Sequence, residues 1–129
     1  MKTLFTFIVS AFLFSACSQG NAQENITVSE LNAIEFNSDD SKVVLDVRTA
    51  QEYAEGKIAG SKNLDVLKTD LFTTSIEKLD KNKTYYVICR SGSRSLKAAN
   101  QMKEAGFKNV VNISGGMQAW EAANFPVEK

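Results

Sequence analysis

Apolar residues recur along this chain in two rhythms. Residues 43–47 (VVLDV) and 84–88 (TYYVI) are nearly unbroken runs of β-branched, aromatic and other apolar residues, as expected of strands buried on both faces. Residues 110–113 predict a third strand, and the shorter stretches 26–27 and 61–64 predict two more. Between the runs the spacing becomes helical. Thr27-x-x-Glu30 and Thr49-x-x-Glu52 are capping boxes. The first opens a helix expected to carry Leu31, Ile34 and Phe36; the second opens a short helix ending near Gly56. Phe72, Ile76 and Leu79 share one face of a helix predicted over residues 70–79. Leu96, Ala99 and Met102 do the same over residues 93–105, with Gly106 as a stop. A last helix is predicted over residues 116–123. Alternation of strand and helix predicts an α/β fold with a mainly parallel central sheet of about five strands and helices on both faces. Ligands of such folds collect beyond the carboxyl ends of the strands.

The first residues follow neither rhythm. Lys2 precedes an apolar run over residues 4–14 (LFTFIVSAFLF), followed by Ser15, Ala16, Cys17 and Ser18. The run is too short for a comfortable membrane span and has the layout of a secretory signal. Residues 1–22 are therefore set apart from a domain over residues 23–129, with the polar stretch 18–25 as a tether. Two cleavage points fit. Phe14-Ser15-Ala16-Cys17 resembles the bacterial lipobox, with Phe where Leu is usual, and cleavage there would leave a lipidated Cys17. Ordinary cleavage after Ala22 is the alternative. Both routes predict a protein of the bacterial cell envelope, periplasmic or membrane-anchored. Membrane contact is expected only through a lipid on Cys17.

Composition narrows the chemistry. A chain of 129 residues suits one domain, and a formal net charge of zero argues against a nucleic-acid partner. There is no histidine, which excludes Ser-His, Cys-His and His-metal catalysis. Two cysteines, Cys17 and Cys89, cannot build a disulfide framework or a Cys-rich zinc site. No metal or organic cofactor is implied.

Cys89 directly follows the TYYVI strand and opens the run Cys89-Arg90-Ser91-Gly92-Ser93-Arg94-Ser95, which leads into a helix. A tight turn at Gly92 could aim successive backbone N–H groups at one centre. The helix N-terminus and the charges of Arg90 and Arg94 would add to that field and lower the thiol pKa. The bland alternative is a cysteine packed at the end of a core strand. It leaves the two arginines and the glycine within five residues of Cys89 unexplained.

That run resembles the active-site loop of rhodanese homology domains. Asp46-Val47-Arg48 with Glu52-Tyr53, Gly56-Lys57-Ile58-Ala59-Gly60 with Asn63-Leu64, and Gly115-Gly116-Met117 with Trp120 are similar to the family's other conserved stretches, in its order, the last resembling its tight turn into the final helix. The resemblance implies a rhodanese-like three-layer fold and a sulfurtransferase that takes sulfane sulfur from a small anionic donor such as thiosulfate. Cys89 would carry the sulfur as a persulfide, held by the loop from Arg90 through Ser91, Gly92, Ser93 and Arg94 to Ser95. The acceptor would be a thiol, cyanide or a protein thiol. Asp46 and Arg48 are expected in supporting roles, with Arg48 bracing Glu52 across one helical turn. Lys57 stands where the family usually has histidine and is expected to be a surface or packing substitution. Two rivals remain. One is a slow persulfide carrier or partner-docking module. The other is a Cys-based phosphatase or arsenate reductase, whose Cys-x5-Arg loop is one residue longer than the Cys-x4-Arg found here.

Overall fold

A computed structural model describes residues 23–36 and 40–129. Its elements run β1 (Glu24–Ile26), α1 (Val28–Asn32), β2 (Lys42–Asp46), α2 (Ala50–Glu55) and β3 (Lys62–Asn63). They continue with α3 (Thr69–Ile76), β4 (Thr84–Ile88), α4 (Ser93–Glu104), β5 (Asn109–Ile113) and α5 (Gly116–Ala122). The five strands form one sheet in the order β1-β5-β4-β2-β3, and every neighbouring pair is parallel. The α/β architecture expected from the alternating pattern is therefore present. The leader, Cys17 and both cleavage points lie outside the described residues, and among those residues no helix is long and apolar enough to cross a membrane.

Side-chain alternation along the strands divides the core into two layers. Val43, Leu45, Tyr85, Val87 and Val110 face Phe72 and Ile76 of α3 and Ala98, Ala99 and Met102 of α4. Val44, Ile88 and Ile113 face Val28 and Leu31 of α1 and Met117 and Trp120 of α5. Cys89 continues the first alternation, so its side chain falls on the α4 side of the sheet. Chain leaving β2 turns to β3 on one side, while chain leaving β4 turns to β5 on the other. The crevice between these diverging connections lies at the carboxyl ends of β2 and β4.

Three local expectations change. Residues 24 and 25 belong to β1, not to a tether: they pair with Val111 and Asn112, and Asn112 Nδ2 donates to Asn25 Oδ1 at 2.9 Å. Strand addition at a sheet edge uses backbone groups, so polar side chains do not oppose it. Helix α1 ends at Asn32, before Ile34 and Phe36; Phe36 is 40% exposed and meets Tyr86 edge-on. On α4 the buried face is Ser95, Ala98, Ala99 and Met102, while Leu96 is turned outward. Small residues at 95, 98 and 99 let the helix approach the sheet closely, and that face excludes Leu96.

Candidate active site at the carboxyl ends of β2 and β4

Cys89 is 1% exposed, beneath the N-terminus of α4. Gly92 adopts φ +106°, a left-handed conformation that suits glycine. This turn brings the Gly92 N–H back to donate to Cys89 Sγ at 3.1 Å. Ser95, in the first turn of α4, is fully buried. Its Oγ lies 3.3 Å from Cys89 Sγ, accepts from the thiol, and itself donates to the Gly92 carbonyl at 3.1 Å. Burial pushes the Cys89 thiol up. The Ser95 hydroxyl and the backbone N–H groups of Ser95, Gly92 and Ser91 together outweigh it, leaving the thiol below its ordinary pKa. The positive end of the α4 dipole acts in the same direction.

The loop is held from behind by α5. Met117 N–H donates to the Cys89 carbonyl at 2.8 Å, and Gln118 N–H to the Arg90 carbonyl at 2.9 Å. Two of the free N–H groups at the start of α5 thus fix the cysteine loop. Gly116 makes this approach possible. Its φ is +55°, and a Cβ there would lie 2.4 Å from the Cys89 carbonyl oxygen and 2.6 Å from the Arg90 carbonyl. In the sequence Gly115-Gly116 signals a turn into the last helix, but not that Gly116 abuts the cysteine loop. The adjacent glycines were the available signal.

Asp46 and Arg48 close the neighbouring strand end. Arg48 Nε donates to both Asp46 carboxylate oxygens, at 3.0 and 3.1 Å, and Nη2 donates to Oδ2 at 2.7 Å. Nη2 also donates to the Gly56 carbonyl at 2.7 Å, while the Arg48 backbone N–H donates to Asp46 Oδ1 at 3.0 Å. Both residues are buried. The expected Arg48–Glu52 brace does not form. Arg48 precedes the N-cap Thr49 and so shares no helix face with Glu52. Glu52 instead completes the capping box with Thr49 and receives Arg94 on both oxygens, Nη1 to Oε1 at 2.7 Å and Nη2 to Oε2 at 2.9 Å. The Arg94 guanidinium lowers the Glu52 carboxyl to about 2, helped by Thr49 and opposed by burial. Arg94 is raised in return, chiefly by Glu52.

Beside the loop lies a cleft of about 160 Å³ whose charged lining is Arg48, Glu52, Glu55, Arg90 and Glu121. Arg90, Glu55 and Glu121 make no ion pair among the described residues. Ser91 and Ser93 are exposed at the rim. Lys57 has its ammonium 4.8 Å from the Tyr53 ring centre, and its backbone bridges Glu128. Among the described residues no cluster of carboxylates and cysteine is suited to hold a metal.

A parallel α/β sheet with a cysteine held below its ordinary pKa in a strand-to-helix loop defines a class of small domains suited to thiolate chemistry. Within that class the chain belongs to the rhodanese-like domain family, whose model matches residues 27–123. It is 39% identical over 89 residues to YtwF of Bacillus subtilis (strain 168), covering 69% of this chain and 82% of that protein. It is 35% identical over 95 residues to the thiosulfate sulfurtransferase GlpE of Coxiella burnetii (strain RSA 331 / Henzerling II), covering 74% and 86%. The fold matches the crystal structure of a rhodanese-related protein from Thermoplasma volcanium with a TM-score of 0.69 and 30% identity, over 81% of this chain and 97% of that one. Sulfurtransferases are thus among its relatives.

Proposed function

We infer that the protein is a sulfurtransferase that carries sulfane sulfur as a persulfide on Cys89. The observation that carries this reading is the convergence of the Gly92 N–H and the Ser95 hydroxyl on Cys89 Sγ. In the first half-reaction the thiolate attacks the sulfane sulfur of a donor such as thiosulfate. The new Cys89 S–S bond forms as the donor's S–S bond breaks, and sulfite leaves with the electron pair. In the second, a thiolate or cyanide attacks the outer sulfur and Cys89 leaves as thiolate. No separate base is needed if the thiol is already ionised, in keeping with a chain that has no histidine. On this reading the loop from Arg90 to Ser95 holds the outer sulfur through its N–H groups, of which those of Ser91, Gly92 and Ser95 already act on the thiol. Arg90, exposed and without an ion pair among the described residues, meets the anionic end of the donor. Asp46 and Arg48 support the neighbouring strand end without touching sulfur.

The phosphatase reading is weaker because Arg94, the cation a phosphate would need, is held by Glu52. The proposal extends to export: residues 1–22 direct the chain to the cell envelope, either with a lipid on Cys17 or by cleavage after Ala22. Fatty-acid labelling of the wild type and of Cys17→Ala separates the two.

The decisive experiment is intact mass after incubation with sulfur donors, followed by a cyanide chase. A gain of one sulfur atom on wild type but not on Cys89→Ser, released as thiocyanate, is expected. No sulfur gain from thiosulfate, a thiosulfonate or an organic persulfide would overturn the reading.

A further inference from the structure

Two arginines enter the cysteine loop, yet they are not equivalent. Arg90 is exposed and makes no ion pair among the described residues. Arg94 is gripped on both nitrogens by Glu52 at 2.7 and 2.9 Å. Its partner comes from α2, 42 residues away in sequence. Asp65 also lies near enough to stabilise the Arg94 charge, as does the Cys89 sulfur. Arg94 is therefore close to the reacting atom but already neutralised. Glu52 also lines the cleft beside the loop, together with Glu55 and Glu121, which have no cation paired to them among the described residues.

We propose that Glu52 determines donor specificity by holding Arg94, so that the site favours sulfur donors of low negative charge, organic persulfides above all, over the thiosulfate dianion. The inference rests on the sulfurtransferase reading above and names its substrate class. A dianion entering the loop meets one free guanidinium and a rim rich in carboxylates. An organic persulfide, R–S–SH, needs no second cation. The Cys89 thiolate attacks its outer sulfur, the Cys89 S–S bond forms, and the donor's S–S bond breaks. R–S⁻ leaves with the electron pair, while the proton stays on the transferred sulfur or passes to water. No oxidant or reductant enters. Glu52 touches neither sulfur nor donor in this scheme; it acts through Arg94 and is a positioning residue.

The test compares three donors, thiosulfate, the monoanion methanethiosulfonate and 2-hydroxyethyl persulfide, whose organic part is uncharged, on wild type, Glu52→Gln and the double variant Glu52→Gln/Arg94→Gln. Glutamine still serves at this place in a capping box, so α2 should persist. Releasing Arg94 should lower the KM for thiosulfate roughly tenfold, the effect of one added charge-assisted hydrogen bond. It should change kcat/KM for the persulfide less than about twofold, and the double variant should lose the thiosulfate gain. An unchanged or raised thiosulfate KM in Glu52→Gln, with Cys89 still persulfidated, overturns the proposal and leaves the sulfurtransferase intact. Equal gains for all three donors also overturn it, because charge selection would then be absent. If Glu52→Gln does not fold, the donor order on wild type decides: kcat/KM for the persulfide and the monoanion above that for thiosulfate supports the proposal, and the reverse order ends it. Failure of every donor to persulfidate Cys89 removes the underlying activity and this inference with it.

Discussion

Two turns sit side by side at the carboxyl end of the sheet, one after β2 and one after β4. In the first, residues 46–48, each charged group meets a matched partner: the Arg48 guanidinium has a carboxylate and the Gly56 carbonyl, and the Asp46 carboxylate has a guanidinium and a backbone N–H. In the second, residues 89–95, the Gly92 N–H donates to a sulfur atom, and the backbone N–H groups of Ser91 and Ser95 also favour its ionised form. A neutral thiol is a weak acceptor, so these donors stabilise the thiolate far more than the thiol. Both turns occupy the crevice where α/β ligands are expected. Position alone therefore does not make a reactive site; an unmatched set of donors does.

The contrast can be broken from either side. Cys89→Ser should remove sulfur transfer to the detection limit while leaving the urea midpoint nearly unchanged, read by intact mass and a denaturation curve. Asp46→Asn should do the reverse. It leaves Arg48 buried without a counter-ion, at a cost of about 3–5 kcal/mol in urea unfolding, with persulfide formation retained by the folded fraction. Gly116→Ala strikes both properties. The left-handed φ and the encounter with the Cys89 carbonyl should cost about 2–4 kcal/mol, and the displaced loop should also alkylate more slowly.

Ser95→Ala sharpens the comparison at the sulfur itself. Because the thiol lies below its ordinary pKa, iodoacetamide reactivity in wild type should rise at lower pH than for a free cysteine. Removal of the Ser95 hydroxyl should move that rise to higher pH and slow alkylation roughly tenfold at pH 6. The smallest effect concerns Glu52. Its carboxyl is held at about 2, below its ordinary value of 4.5. The pair's stabilisation is fully present above pH 4.5 and fades as pH falls toward 2. Since the pair is part-exposed, wild type should exceed Glu52→Gln by no more than about 1 kcal/mol at pH 6, and the two should converge near pH 2.

Much of this was legible in the chain. The runs VVLDV and TYYVI announced two central strands because parallel strands buried on both faces have little room for polar residues. Cys89 stood out through its place after a strand and before a helix, with Gly92 at the turn. The pairings of the arginines were not legible. Arg48 and Glu52 have helical spacing, but nothing in that spacing shows that Thr49 caps the helix after Arg48. Glu52 and Arg94 meet only because β2 and β4 are neighbours, a fact of strand order. Gly116 was visible as half of a turn, while its contact with the Cys89 carbonyl depends on α5 returning beneath the loop. The polar edge strand at residues 24–25 escaped for a simpler reason, since its pairing is made by backbone atoms.

The parallel sheet also gives the domain a fixed handle. Glu24 enters the sheet opposite Val111, with Gln23 bonded to the Val110 carbonyl, while Cys89 emerges past the far ends of the strands. Whatever grips the chain ahead of Gln23, whether a surface, a fused domain or a bead, holds the molecule from below. The mouth of the cysteine loop, with Ser91 and Ser93 exposed at its rim, then lies at the opposite end of the sheet from that attachment.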